Sequence, residues 1–318
     1  MVRFTVLASG SKGNSTVVTG GRTRILVDAG LSCRELFRRM RLAGEDPETL
    51  DAIVVTHEHQ DHINGLAVTA RRLGIPVYFT EATHRAWMRW LTPRRQMSYA
   101  QWLEQCRKQA AERQAEATAD EGEPEDAAPD DAAAEKQQND AELPSVKPDP
   151  TWLPTVEYFQ AGQPFAIGDI AVSPFTIPHD AADPVGFVFT AEGVRMAFAT
   201  DLGYVTPNVK TQLKGVDLLL LESNHDIEML RDGPYPWSVK QRVLSRVGHL
   251  SNEAASDFLA NGYDGQAAYV ILAHLSESNN LPDLARVAAE RALEGRASLL
   301  ANRLLVAEQH EPLSTIYF

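Results

Sequence analysis

Asp51-Ala52-Ile53-Val54-Val55-Thr56-His57-Glu58-His59-Gln60-Asp61-His62-Ile63-Asn64-Gly65 joins a short apolar run to three histidines and an aspartate packed within six residues. Ala52 to Val55 is bounded like a buried strand. The polar cluster falls where that strand ends, the place where α/β and layered folds put their chemistry. Imidazole and carboxylate are donors that zinc, manganese and iron accept without any thiolate. On an extended segment His57 and His59 point the same way and can hold one cation, while Asp61 and His62, at the turn into the next helix, can face a second. Two cations about 3.5–4 Å apart can share a water and clamp a displacement at phosphorus or carbon. A lone histidine after a strand is ordinarily a hydrogen-bonded core or surface residue. Four such groups at this spacing, dehydrated and without a metal, leave polar atoms short of partners.

The 318 residues can hold one large domain or two small ones, enough for a substantial core. Cys33 and Cys106 are the only cysteines, without paired spacing, so neither a disulfide framework nor a cysteine-based zinc site is supported. The expectation is a reducing, cytoplasmic compartment. The opening apolar run is too short for a signal peptide, and nothing later approaches the roughly 18 apolar residues of a membrane span.

The net charge of −13 argues against nucleic acid until it is mapped along the chain. Between Glu112 and Glu142 twelve acidic side chains face only Arg113 and Lys136, so −10 of the total sits there. That segment is rich in Ala, Asp, Glu, Gln and Pro and holds almost no aliphatic or aromatic anchors. Such a composition cannot bury enough surface to offset its ordering entropy. A disordered acidic insertion is expected at about 115–150, entered by a helix from Tyr99, and it reads as a solvated spacer ahead of an interaction arm. The remaining charge is nearly balanced, with scattered cations at Lys12, Arg34, Arg38, Lys240 and Arg242 as candidates to meet phosphates.

Three strands, Arg3 to Leu7, Ser15 to Thr19 and Thr23 to Val27, suggest an opening antiparallel meander. Its first turn, Ser9-Gly10-Ser11-Lys12-Gly13-Asn14-Ser15, could offer amides and hydroxyls to an anion, although an ordinary hairpin turn has the same composition. Ser32 is placed to cap a helix carrying Arg34, Arg38, Arg39 and Arg41. A helix over Ile63 to Leu73 and a strand over Pro76 to Phe79 follow, then the amphipathic stretch Glu81 to Leu91. A second meander reads at Val156 to Phe159, Ala171 to Ile177, Val185 to Thr190 and Arg195 to Ala199. Strands at Val216 to Leu221 and Ala268 to Ala273 then alternate with helices near Ser238 to Arg246, Asn252 to Asn261 and Leu281 to Leu293. Two β-rich halves, each trailed by helices, fit one α/β domain over 1–318: an αββα sandwich of two mixed β-sheets flanked by helices.

A dinuclear site needs more donors, each at a strand end on the same edge. His179 follows Ala171 to Ile177, Asp201 follows Met196 to Thr200, and His274 follows Tyr269 to Ala273. Singly each is ambiguous, and His179 reads equally well as a cap or core residue; together they form a consistent set.

The pattern His-x-His-x-Asp-His, followed in order by His179, Asp201 and His274, resembles the ligand order of the metallo-β-lactamase superfamily and its phosphodiesterases. The resemblance implies that His57, His59 and His179 hold one divalent ion, that Asp61, His62 and His274 hold the other, and that Asp201 bridges them. An aspartate at 201, where lactamases of the superfamily tend to carry cysteine, gives an all-nitrogen-and-oxygen site suited to zinc, manganese or iron. The stretches Ser9 to Ser15, His179 to Phe187, Glu222-Ser223-Asn224-His225-Asp226, Gly248 to Asn252 and His274 to Asn280 are similar to the YycJ/WalJ branch over nearly the whole chain. That branch implies a metal-dependent nuclease, with 5′→3′ exonuclease action on double-stranded DNA. The acidic insertion departs from its compact pattern. By the same resemblance, His225 or His249 lies beside the scissile phosphate, as proton donor or phosphate contact; a structural role behind the ligands is the other reading of each.

The mechanism expected is in-line attack by a hydroxide shared between two metals and oriented by Asp61 or Asp201, with DNA favoured as substrate. Hydrolysis of a small ester, thioester or cyclic phosphodiester on the same metals is the rival enzyme reading. A non-catalytic nucleic-acid-binding scaffold is the rival outside catalysis, and spare histidines beside the ligands argue against it.

Overall fold

In the computed structural model the residues described are 1–92, 107, 149–294 and 303–318. Met1–Leu91 and Pro150–Phe318 form one compact unit; Thr92–Asp149 forms another. The acidic insertion expected at about 115–150 and the helix from Tyr99 lie outside the described residues, apart from Arg107, Asp149 and Pro150.

Two seven-stranded sheets make up the first unit. One has the order β14-β1-β2-β3-β4-β5-β6, from β1 (Arg3–Ala8), β2 (Ser15–Gly20), β3 (Thr23–Val27), β4 (Ala52–Val54), β5 (Pro76–Phe79), β6 (Thr155–Tyr158) and β14 (Ile316–Tyr317). The other has the order β13-β12-β11-β10-β9-β8-β7, from β7 (Phe165–Ile167), β8 (Ile170–Thr176), β9 (Val185–Ala191), β10 (Val194–Ala199), β11 (Leu218–Glu222), β12 (Tyr269–Ala273) and β13 (Arg303–Val306). Each sheet is mixed: β3 to β6 run parallel, as do β10 to β13, and the meanders at β1–β3 and β7–β10 are antiparallel.

Strand sequences with both faces buried explain the layers. Leu218, Leu219, Leu220 and Leu221 are all buried, and they alternate: Leu218 and Leu220 join the core between the sheets, Leu219 and Leu221 the core under the outer helices. In β3, Ile25 and Val27 face the inter-sheet core while Leu26 faces the helices on its own side. A continuous apolar run is the signature of such a strand, because side chains two apart share a face. The outer layers are α1 (Cys33–Leu42), α2 (Gln60–Ile63), α3 (Leu66–Leu73) and α4 (Glu81–Leu91) on one side. On the other lie α5 (Pro207–Gln212), α6 (Ile227–Asp232), α7 (Trp237–Val243), α8 (Asn252–Asn261) and α9 (Pro282–Glu294). Three buried clusters, one between the sheets and one beneath each helical layer, complete the expected αββα sandwich.

The single helix expected over Ile63 to Leu73 is two, broken at Gly65. A Cβ on Gly65 would sit 1.9 Å from the Leu31 carbonyl oxygen, and its N–H donates to Ala29 O at 2.8 Å. The break lets the His57–His62 loop dock just past the end of β3, where Ala29 N donates to His62 O at 2.8 Å. Short edge strands β7, β13 and β14 escaped the sequence reading, as did α5 and α6. No helix among the described residues is long and apolar enough to cross a membrane.

Candidate metal centre

Because β3, β4, β8, β10, β11 and β12 point the same way in the two sheets, their C-terminal ends share one rim. Asp28, His57, His179, Asp201, Glu222 and His274 all stand on it, each at or just past a strand end. Asp28, Asp201 and His274 adopt left-handed backbone, with φ of 60°, 59° and 56°. For side chains with a Cβ this conformation costs on the order of 1–3 kcal/mol each, strain that accumulates at functional sites.

The loop that follows β4 is sewn to the first meander. Asn14 N donates to Asp61 O at 2.7 Å, Ala29 N to His62 O at 2.8 Å, and Gly30 N to Asn14 O at 3.0 Å. Gly30 is needed here, since a Cβ would come 1.7 Å from the Asp61 carbonyl oxygen. The Ser9–Ser15 turn thus serves the centre: Asn14 Nδ2 donates to Asp61 Oδ2 at 3.0 Å, and Ser9 Oγ accepts the His274 backbone N–H at 2.7 Å.

All seven residues expected as ligands come together. Donor atoms of His57, His59 and His179 lie within 4.8 Å of one another, and so do those of Asp61, His62 and His274. Asp201 joins His57 and His62 in one such group and His274, His249 and Glu222 in another. His59 Nδ1 and His179 Nε2 face each other at 3.2 Å, while His179 Nδ1 lies 3.1 Å from the Gly248 carbonyl, which fixes that ring.

The polar atoms are poorly served by protein alone. His57 Nε2 and Asp201 Oδ2 are buried without a hydrogen-bond partner; Asp201 Oδ2 lies 3.3 Å from His62 Nε2 without bonding geometry. Orphaned buried donors and acceptors are rare and costly. Two coordinating atoms turned inward, among histidines and carboxylates only, fit divalent cations as their missing partners.

The charges agree. Burial lowers His57 well below the ordinary imidazole range, with the neighbouring His62, His59 and His179 adding to the effect. Against their own burial, His62 and His274 are raised well above that range, first by Asp201. Burial opposes the ionisation of Asp61 and Asp201, yet Asp61 is held low by His62 and His274, and Asp201 by His274, His62 and His179. The raised His62 and His274 mark a negative potential set by the surrounding carboxylates, which a bound cation would complement.

Glu222 is the residue that sequence reasoning passed over, quoting it only within a motif. Fully buried at the end of β11, it accepts from His249 Nδ1 and His274 Nδ1 through Oε1, both at 2.8 Å. Its Oε2 accepts from the Leu202 and Leu250 amides at 2.6 and 3.0 Å. Burial favours its neutral form, but His249 and His274 hold it well below the usual carboxylate range. Its sequence signal is a glutamate closing a four-leucine buried strand.

The two spare histidines part company. His249 lines a cavity of about 330 Å³ whose floor is Asp61, Asp201 and His274. His225 is 1% exposed, does not line that cavity, and has both ring nitrogens unpartnered; burial pushes it down to about 4, so it is neutral at pH 7.

Residues 8–249 match the family model described as the Metallo-beta-lactamase superfamily. The chain is 34% identical over 293 residues to exodeoxyribonuclease YycJ of Bacillus anthracis, covering 92% of this chain and 89% of that protein. It is 30% identical over 285 residues to exodeoxyribonuclease WalJ of Streptococcus pneumoniae, with coverage of 90% and 86%. The metallo-beta-lactamase fold protein YhfI from Bacillus subtilis shares the fold, with a TM-score of 0.58 at 14% identity over 98% of both chains.

Proposed function

The chain belongs to the metallo-beta-lactamase superfamily, and from that premise we propose that it is a dinuclear metal-dependent nuclease, a 5′→3′ exonuclease of double-stranded DNA. The observation that carries the reading is the convergence of seven nitrogen- and oxygen-bearing side chains from four loops, those after β4, β8, β10 and β12, with two inward atoms lacking any partner. His57, His59 and His179 would hold one ion, and Asp61, His62 and His274 the other. Asp201 sits between the two sets. Divalent zinc, manganese or iron bound there supplies Lewis acidity, which acidifies water and takes up phosphoryl charge.

The chain's own groups do the rest. Asn14 fixes the Asp61 carboxylate, which with Asp201 orients the attacking water in line with phosphorus. Asp28 accepts from His62 Nδ1, and Glu222 from His274 Nδ1, so each imidazole presents Nε2 to the centre. Glu222 also holds Nδ1 of His249, leaving Nε2 to deliver a proton to the departing sugar oxygen. We assign that transfer to His249 and a structural role to His225, which is walled off from the cavity.

End-labelled duplex DNA and RNA, incubated with metal-reconstituted protein and with a chelated control, test the reading. Metal-dependent shortening of duplex DNA from its 5′ ends is expected; intact DNA under every metal overturns it. The cavity's modest volume favours one rival, hydrolysis of a small ester, thioester or cyclic phosphodiester on the same centre. Turnover of such a compound with DNA and RNA left intact would select it.

A further inference from the structure

Between β11 and α8 the chain builds a small helical cap from α6 and α7. Lys240, buried in α7, donates from Nζ to Arg231 O at 2.7 Å and to Gly233 O at 2.8 Å, locking the second helix onto the end of the first. The cap's exit is pinned to the metal loop, with Asp180 N donating to Val247 O at 3.0 Å and His179 Nδ1 lying 3.1 Å from Gly248 O. It is therefore a fixed wall of the metal cavity, and Tyr235 and Arg242 are the side chains it contributes there with Val243.

Among the described residues, Arg242 is the one permanently cationic side chain lining that cavity. Its Nε is bonded to Asp180 Oδ2, next in sequence to His179, while its two Nη groups have no partner among the described residues. The side chain is 57% exposed. Anchoring the cap does not require it, because the Asp180–Val247 main-chain bond, the His179–Gly248 contact and Lys240 already do so. A guanidinium steered by one carboxylate and open at its far end is arranged to receive an oxyanion bidentately. The same cavity is also lined by Ser11, Ser276 and Asn279, which are neutral hydrogen-bonding groups.

We propose that Arg242 grips a phosphate of the nucleic-acid strand next to the scissile one, through its Nη pair, and that Tyr235 stacks against the adjoining base. The cap thereby selects a polynucleotide over an isolated phosphodiester. This assignment rests on the nuclease reading.

The test uses the metal-loaded full chain on duplex DNA over a range of NaCl concentrations. A parallel anisotropy measurement follows a fluorescein-labelled duplex on chelator-treated protein. R242Q is expected to raise KM for DNA roughly tenfold with kcat within about threefold, the pattern of lost uniform binding. The dissociation constant of the chelated protein rises in step, and the slope of log affinity against log salt becomes shallower by about one. R242K recovers part of the affinity and, keeping charge and stem, carries the test if R242Q does not fold. Y235A raises KM severalfold and Y235F does not. D180N, which frees the guanidinium, retains the wild-type salt slope.

Wild-type KM, binding and salt slope in folded R242Q overturn the proposal and leave the nuclease reading standing. So do matched losses of melting temperature in R242Q and D180N without any change in DNA affinity. Wild-type protein that hydrolyses bis(p-nitrophenyl) phosphate but cuts neither DNA nor RNA overturns both.

Discussion

Asp28 Oδ2 lies 2.8 Å from Nδ1 of His62, with both side chains fully sealed from solvent. The same carboxylate accepts the Thr56 amide and hydroxyl at 2.9 and 2.8 Å, so its position is fixed from two sides. It determines which imidazole nitrogen of His62 carries the proton and which is turned to the metal centre. Asp28→Asn is expected to weaken metal binding by about 10–100-fold while the fold persists. Zinc titration by calorimetry beside far-UV circular dichroism checks this, and an unchanged affinity would remove Asp28 from the centre.

His249 and His225 make a paired prediction. His249→Ala should lower kcat on DNA by about 10²–10⁴-fold with metal content unchanged, as expected for the loss of a positioned proton donor. His225→Gln should leave kcat within about threefold and act instead on melting temperature, because that ring is buried away from the cavity. His59→Ala should abolish metal-dependent turnover without unfolding the chain. Single-turnover rates and metal content by mass spectrometry separate the three, and the reverse ranking of His249 and His225 defeats the assignment.

How much of this was readable in the sequence follows from the physics of each part. Candidate ligands such as His57, His179 and His274 stood out because a buried strand is a continuous apolar run, and a histidine near its end breaks the run visibly. The sandwich followed from two sets of such runs. Asp28 was not legible as a partner of the centre, since His62 lies 34 residues on and nothing local signals the bond. Glu222 was hidden for the same reason, with both histidine partners more than 25 residues away. The break at Gly65 comes from a carbonyl at Leu31, a tertiary contact that helical periodicity cannot register. Strands of two to four residues at sheet edges, β7, β13 and β14, are too short to show a period.

Gly30 and Gly44 separate two meanings of glycine. A Cβ at Gly30 would fall inside the Asp61 backbone carbonyl, whereas at Gly44, with φ of +77°, it meets nothing within 4 Å. Gly30→Ala must therefore push the ligand loop away and is expected to destabilise by about 2–4 kcal/mol and reduce metal retention. Gly44→Ala carries only left-handed strain, about 1 kcal/mol, and no loss of metal. Urea midpoints with metal analysis of the dialysed proteins decide it; equal metal loss in both variants contradicts the account.

Acid stability tests an element remote from the centre. On α1, hydrogen bonds from Arg38 and then Arg39 hold the Glu35 carboxyl down to about 2, against the pull of burial. A carboxyl whose folded value is depressed stabilises the protein fully above its unfolded value near 4.5, and that contribution is lost as pH falls toward about 2. The Glu35 side chain is 32% exposed, so solvent screening limits the effect to about 0.5–1 kcal/mol. Glu35→Gln should accordingly be less stable than the parent by that amount at pH 7. The gap should close between pH 4.5 and 2, because the parent then carries the same neutral group. Both proteins are compared in chelator, so that acid release of metal does not enter the difference. Urea melts at pH 7, 4.5 and 3 measure it, and a gap that widens on acidification would show that Arg38 and Arg39 do not hold Glu35 ionised.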